Sequence, residues 1–140
     1  MQLNPYLFFN GQCAEAFKFY EQCLGGKITA IMTYAESPET SMTDQMSPEW
    51  RNKIMHASMK LGDQELMGSD SPPQYYEAAK GFSVSLSLND VGEAERIFHT
   101  LAENGKVQMP LEKTFWAERF GMVVDQFGTP WMINCDQGAG

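Results

Sequence analysis

Histidine and cysteine are scarce in this 140-residue chain, two and three respectively, and its ten basic residues are outnumbered by eighteen acidic ones. Each shortage excludes something. Cys13, Cys23 and Cys135 are odd in number, and their spacings to one another and to His56 and His99 match no zinc pattern. Reduced thiols in or near the core are the expectation. A net charge of −8, with no Lys/Arg cluster to release counterions, makes nucleic acid and anionic membranes poor partners. No apolar run approaches the roughly 18 residues of a membrane span. The opening MQLNPYLFFNG lacks both a basic start and a small-residue cleavage site. These absences predict a soluble, cytoplasmic protein, and 43% hydrophobic residues in this length fit one compact domain.

What is present is a unit written twice. A shift of 79 positions sets Leu7, Asn10, Phe19, Gly26 and Lys27 against Leu86, Asn89, Phe98, Gly105 and Lys106, with Ile28 opposite Val107. Each copy opens with a strand. In the second, Phe82, Val84, Leu86 and Leu88 alternate with Ser83, Ser85 and Ser87, the period of a half-buried strand whose serine face looks into a wet cup. A helix follows, with Cys13, Ala16, Phe17, Tyr20 and Leu24 on one apolar stripe and Ala94, Ile97, Phe98, Leu101 and Ala102 on the other. Asp90 with Glu93 reads as a capping box, and Gly26 and Gly105 stand where left-handed helix stops are expected. Three further strands per copy are predicted at 27–35, 54–61 and 64–70, then at 106–111, 117–125 and 130–135. A Gly-Asp hairpin in KLGDQEL and a longer turn in VDQFGTPW connect them. The fold class is therefore α+β. It comprises two βαβββ modules, residues 1–71 and 81–136, joined by a linker at 72–80, with eight strands in cupped sheets and helices outside.

PYLFFNG before the first helix, FYEQCLGG closing it, IMHASMKLGDQELMGSD, GFSVSLSLND and FWAERFGMVVDQFGTPWMIN together cover almost the whole chain. By these motifs the sequence resembles the vicinal oxygen chelate superfamily (glyoxalase, bleomycin-resistance protein, extradiol dioxygenase), specifically its PhnB-like branch, also labelled a 3-demethylubiquinone-9 3-methyltransferase domain. The resemblance implies a homodimer, in which modules of two chains complete each other's cavity. Metal-dependent relatives bind a divalent ion with side chains from the first, fourth, fifth and eighth strands. Those places fall here at Asn4 or Pro5, at Leu66 to Gly68, at Phe82 or Ser83, and at Asn134. None is His, Glu, Asp or Cys, so no metal and no cofactor are expected. The methyltransferase label meets a separate objection. A cofactor-binding methyltransferase needs a Gly-rich turn that opens a helix, whereas Gly25-Gly26 ends one.

Several side chains carry alternatives. His56 shares a strand face with Ser58 and Lys60, where it is a general base, a ligand partner, a displaced metal ligand, or an idle and satisfied histidine. His99 belongs on the helix surface. Asp70 and Asp125 are read as turn organisers rather than catalysts. Trp131 shares a face with Ile133 in the core, leaving Met132 and Asn134 for the cup. Trp116 and Arg119 form either a ligand clamp at the rim, a surface ion pair or part of an interface. Met67, Met122 and Met132 offer a pliable wall. In the acidic connection at 36–52, Ser47-Pro48 starts a short helix, and the whole is a mobile lid or an unstructured link.

Three functions follow. The first is binding of a small organic molecule in a pocket lined by Tyr6, Phe8, His56, Ser83, Ser85, Trp116, Met132 and Asn134, without the standard metal. The second is a glyoxalase-like enzyme with a displaced or absent metal, His56 as acid/base and Arg119 as anion clamp. The third is a structural or interaction protein with a filled cup.

Overall fold

The computed structural model describes residues 1–37 and 46–136. Residues 38–45 of the acidic connection at 36–52, read as a mobile lid or an unstructured link, lie outside the described residues. Two compact units emerge, the first ending at Glu77 and the second beginning at Ala78.

The first unit contains β1 (Tyr6–Phe9), α1 (Cys13–Leu24), β2 (Lys27–Thr33), a 3-10 turn (Tyr34–Glu36), α2 (Pro48–Arg51), β3 (Ile54–Leu61) and β4 (Gln64–Asp70). The second contains β5 (Val84–Leu88), α3 (Val91–Ala102), β6 (Lys106–Glu112), β7 (Ala117–Val124) and β8 (Pro130–Asp136). Each unit holds one four-stranded sheet, in the orders β1-β4-β3-β2 and β5-β8-β7-β6. The outer strand of each unit's first hairpin-like pair is exposed along most of its length. The α+β arrangement of two βαβββ modules is as the sequence predicts, and strand limits differ from expectation by a residue or two. The first strand of the second unit starts only at Val84, so Phe82 and Ser83 precede it.

The long helices α1 and α3 each pack on one face of their own sheet. Under α1 lie Leu7, Phe9, Ala57, Met59 and Leu66, which meet the buried Cys13, Ala16, Phe17, Tyr20 and Cys23 of the helix. The rings of Phe9, Phe17 and Tyr20 stand 6.1 to 6.4 Å apart in edge-on and tilted contacts. Under α3 lie Val123, Trp131, Ile133 and Cys135, which meet Ala94, Ile97, Phe98 and Leu101. Two strand glycines make room for helix rings. A β-carbon on Gly68 would come within 2.8 Å of Phe17, and one on Gly121 within 2.8 Å of Phe98.

The helix exits correct one expectation. The left-handed stops are Gly25 (φ 75°) and Asn104 (φ 56°), one residue earlier than Gly26 and Gly105. Asparagine tolerates this conformation because its short polar side chain bonds locally, so the second copy dispenses with glycine there. Gly26 and Gly105 serve close packing instead. A β-carbon would meet Lys60 O at 2.9 Å in the first and Val124 O at 2.4 Å in the second.

The helix starts differ as well. Asp90 caps α3 locally, its Oδ1 accepting Glu93 N at 3.1 Å. Gln12 gives α1 no side-chain cap, and Asp70 supplies the acceptor from the far end of β4. Its Oδ1 accepts Cys13 N at 2.9 Å, its Oδ2 accepts Ile54 N at 2.8 Å, and its carbonyl accepts Tyr34 Oη at 2.6 Å. Asp125 performs a comparable task in the last hairpin. Its Oδ1 accepts Phe127 N and Thr129 N at 2.9 and 3.0 Å, and its Oδ2 accepts Trp131 Nε1 at 2.8 Å. Both carboxylates are buried and organise backbone, which leaves neither free for chemistry. The start of α2 is also as the sequence reads, with Ser47 as N-cap and Pro48 in the first turn.

Candidate functional site

The face of each sheet turned away from its helix carries the residues of interest. In the first unit, strand alternation and pairing set Tyr6 beside Met67 and Ser58, and Phe8 beside Ser69. His56 pairs with Met32 on the same face. Tyr6 and Phe8 are 38% and 61% exposed, and Met32 is 37% exposed. The Tyr6 ring centroid lies 5.2 Å from that of Phe8 and 5.9 Å from that of His56, forming one tilted aromatic ledge. Across it, Tyr6 Oη and His56 Nδ1 are hydrogen-bonded at 3.4 Å. Ser58, itself buried, donates its hydroxyl to the Glu65 carboxylate. The ledge is thus largely apolar, with one tyrosine–histidine pair set into it.

In the second unit a row crosses all four strands: Ser85 pairs with Met132, Met132 with Met122, and Met122 with Met109. The next row contains Ser87, Asn134 and Phe120. Asn134 Nδ2 donates to Asp136 Oδ1 at 3.2 Å. Beside this row, Thr114 N donates to Ala117 O at 3.0 Å while Ala117 N donates to Thr114 Oγ1 at 3.1 Å, closing a turn that projects Phe115 and Trp116. Their exposures are 91% and 51%, and the Trp116 ring packs 5.3 Å from Phe120.

Of the expected site residues, Tyr6, Phe8 and His56 stand together on the first face, and Ser85, Met132, Asn134 and Trp116 belong to the second. Ser83 lies ahead of β5 instead of on it, because the ladder with β8 begins at Val84. Arg119 takes the helix side. It pairs across the ladder with the buried Cys135, its Nε reaches Glu95 Oε1 on α3 at 3.3 Å, and its Nη1 donates to Glu118 O at 2.7 Å. Its guanidinium is committed away from Phe120 and Asn134, so the expected clamp with Trp116 does not assemble on the open face. Met32, Met109, Phe115 and Phe120 were missed by the sequence reading. Alternation with Met122 along β7 was the available signal for Phe120, whereas the place of Met32 opposite His56 depends on the β2–β3 register.

The thiols are structural. Cys13 stands at the first position of α1, where the helix dipole ordinarily favours a thiolate. Burial, and after it the charge of Asp70, push its pKa strongly upward instead. The Cys135 thiol is also pushed up, first by desolvation and then by Asp136, Glu118 and Asp90, with Arg119 opposing. Cys13, Cys23 and Cys135 are all buried, and none is in a disulfide.

A divalent ion of the kind used by metal-dependent relatives does not fit this donor set. The open-face residues of β1, β4, β5 and β8 include Tyr6, Phe8, Met67, Ser69, Ser85, Ser87, Met132 and Asn134, with the Glu65 carboxylate engaged by Ser58 and that of Asp136 by Asn134. Phenol, thioether, hydroxyl and amide groups scattered in this way replace the imidazole and carboxylate ligands such ions need. Among the described residues no group of three or more His, Cys, Asp or Glu is placed to hold a metal. No helix among them is long and apolar enough to cross a membrane.

Comparison with known proteins agrees with this architecture. The glyoxalase/bleomycin resistance protein/dioxygenase superfamily profile matches residues 2–133. Protein YjdN of Escherichia coli K12 is 36% identical over 141 residues, covering 96% of this chain and 95% of that protein. The crystal structure of protein PA1353 from Pseudomonas aeruginosa is 50% identical with a TM-score of 0.88, covering 98% of both chains. A Bacillus cereus structure named as a PhnB protein and 3-demethylubiquinone-9 3-methyltransferase is 26% identical with a TM-score of 0.75, covering 96% of this chain and 99% of that one. Residue pattern, duplicated topology and these likenesses agree, and the chain belongs to the glyoxalase/bleomycin resistance protein/dioxygenase superfamily as a PhnB/YjdN-like member.

Proposed function

We propose that this protein binds a small, mainly apolar organic molecule and does so without the superfamily's usual metal. The observation that carries the reading is the ledge of the first unit, where Tyr6, Phe8 and Met32 stay exposed around a single tyrosine–histidine pair. Ligand sites have this makeup: apolar and aromatic walls with a few polar groups that fix orientation. The methionines and the Trp116–Phe120 pair give the second unit's open face the same character. Thioether side chains adapt to varied shapes, which favours a tolerant binder.

A thermal-shift panel of hydrophobic cations, aromatic drugs and 2-oxo compounds tests the reading. A ligand at a hundred times its dissociation constant adds about 2.7 kcal/mol, a readily measured rise in melting temperature. The shift should shrink in Phe8→Ser and in His56→Leu. Silence across the whole panel would sink the proposal.

The place of His56 on the open face opposite Met32 leaves a second reading, acid/base chemistry by His56 in a glyoxalase-like reaction, with or without a displaced metal. Metal analysis of protein purified without chelator, with and without His56→Ala, separates these variants. Stoichiometric metal lost on substitution would establish a displaced site. The homodimer implied by the family resemblance belongs to the same proposal and is checked by light scattering.

A further inference from the structure

Among the described residues the imidazole of His56, with two nitrogens, has one hydrogen-bond partner. Nδ1 faces Tyr6 Oη at 3.4 Å, and Nε2 has no hydrogen-bond partner among the described residues. A phenol has a proton to give and is a weak acceptor, whereas a neutral imidazole nitrogen is a good acceptor. The favourable polarity is therefore Tyr6 O–H donating to Nδ1. That choice fixes the rest of the ring, because a neutral imidazole carries one proton, and with Nδ1 accepting it must sit on Nε2.

We infer that Tyr6 is a positioning residue that holds neutral His56 in its Nε2–H form, so that the ledge offers a ligand one hydrogen-bond donor and no base. The inference rests on the binding reading above and narrows it. The ligand is an aromatic or otherwise flat apolar molecule carrying a hydrogen-bond acceptor, of the carbonyl or carboxylate class, directed at Nε2. The rest of the ledge supports this division of labour. Phe8 and Met32 flank the pair with apolar surface, while the Ser58 hydroxyl is turned to Glu65. A proton on Nε2 also removes the lone pair through which His56 would act as a base at that atom, so the donor role and the general-base role exclude each other.

Two measurements test it independently. In ligand-free protein at alkaline pH, long-range proton–nitrogen correlation spectra of the His56 ring report the tautomer directly. The Nε2–H signature is expected in the wild type, with a measurable rise of the Nδ1–H form in Tyr6→Phe at unchanged melting temperature. An Nδ1–H wild type, or a tautomer ratio indifferent to Tyr6→Phe, overturns the assignment whatever the protein binds. The second measurement compares 2-acetylnaphthalene with 2-ethylnaphthalene, matched in shape and differing in the acceptor, and includes 2-naphthoate as the anionic arm. One hydrogen bond is worth roughly fivefold in affinity. The ketone should outbind the hydrocarbon by about that factor, and the preference should vanish in His56→Leu. A stronger preference for naphthoate over the ketone marks a carboxylate ligand, and the reverse a neutral carbonyl. Equal binding of ketone and hydrocarbon refutes the donor role while leaving apolar binding intact. Binding of none of the three refutes the ligand half of the inference together with the proposed function, and the spectra still decide the Tyr6–His56 pair.

Discussion

Replacing Asp70 by alanine removes the acceptor of two backbone N–H groups that have no alternative nearby. Cys13 N opens α1, whose own N-cap residue offers no side-chain bond, and Ile54 N opens β3. The carboxylate is 1% exposed, so water does not replace it without cost. An unsatisfied buried donor costs about 1–3 kcal/mol, which puts the alanine variant roughly 2–6 kcal/mol below the wild type. The Tyr34 bond is to the backbone carbonyl of Asp70 and survives the substitution. Against a typical native stability of about 5–15 kcal/mol the loss is large. Asp70→Asn should lose about half as much, because one amide oxygen still accepts while the amide nitrogen faces a second donor. Urea denaturation followed by circular dichroism and tryptophan fluorescence measures this. With a slope of about 2 kcal/mol per molar, the alanine midpoint should fall by roughly 1–3 M. A loss under about 1 kcal/mol for alanine, or an asparagine variant as stable as the wild type, would refute the view that Asp70 ties these elements together.

Asp125→Ala strands Phe127 N, Thr129 N and Trp131 Nε1, and should cost about 3 kcal/mol or more in the same assay, with a changed Trp131 fluorescence environment. The helix-exit glycines should separate by mechanism. Gly25→Asn should cost under about 1 kcal/mol, since asparagine already holds that conformation at position 104. Gly105→Ala must push the Val124 carbonyl aside and should cost about 1–3 kcal/mol or prevent folding, read as melting temperature and soluble yield. The raised Cys13 pKa gives a pH dependence with a definite sign. The folded state holds this proton more tightly than the unfolded chain, so the contribution is complete below the ordinary thiol value near 8.5 and falls above it by up to about 1.4 kcal/mol per pH unit. Urea midpoints between pH 8 and 11 should therefore decline, and Cys13→Ala should flatten the decline. An unchanged slope in that variant would count against it.

The fold was largely legible because its signals are local. Alternation along Val84 to Leu88, the helical stripes, Ser47-Pro48, Asp90 with Glu93 and the Gly62-Asp63 hairpin each act within a few residues. The site was only partly legible because it is assembled across the sheet. Alternation puts Tyr6 and His56 on open faces, but their contact depends on the parallel register that lays β1 along β4, which nothing local encodes. Arg119 was left open for a related reason. Alternation with Val123 puts it on the side opposite Trp116, but the choice between clamp and ion pair depends on Glu95, which only the packing of α3 brings to 3.3 Å. Asp70 and Asp125 could be recognised as structural by residue type, but not assigned the donors they serve. The helix-exit error is smaller still: a Gly-Gly pair does not say which glycine takes the left-handed turn and which makes room for a strand.

The two long helices of this duplicated chain, α1 and α3, begin by different means, and that difference orders the making of their caps. The Asp90 cap of α3 is made by a bond spanning three residues, so the second helix carries its own starting signal and can form as soon as its sequence is available. The first helix takes its cap from a residue 57 positions away, so that cap is made only once the last strand of its unit has been laid in place. A gene duplication can copy a shape and still leave its halves on separate clocks: one half caps its helix from within, the other only when its own end has arrived.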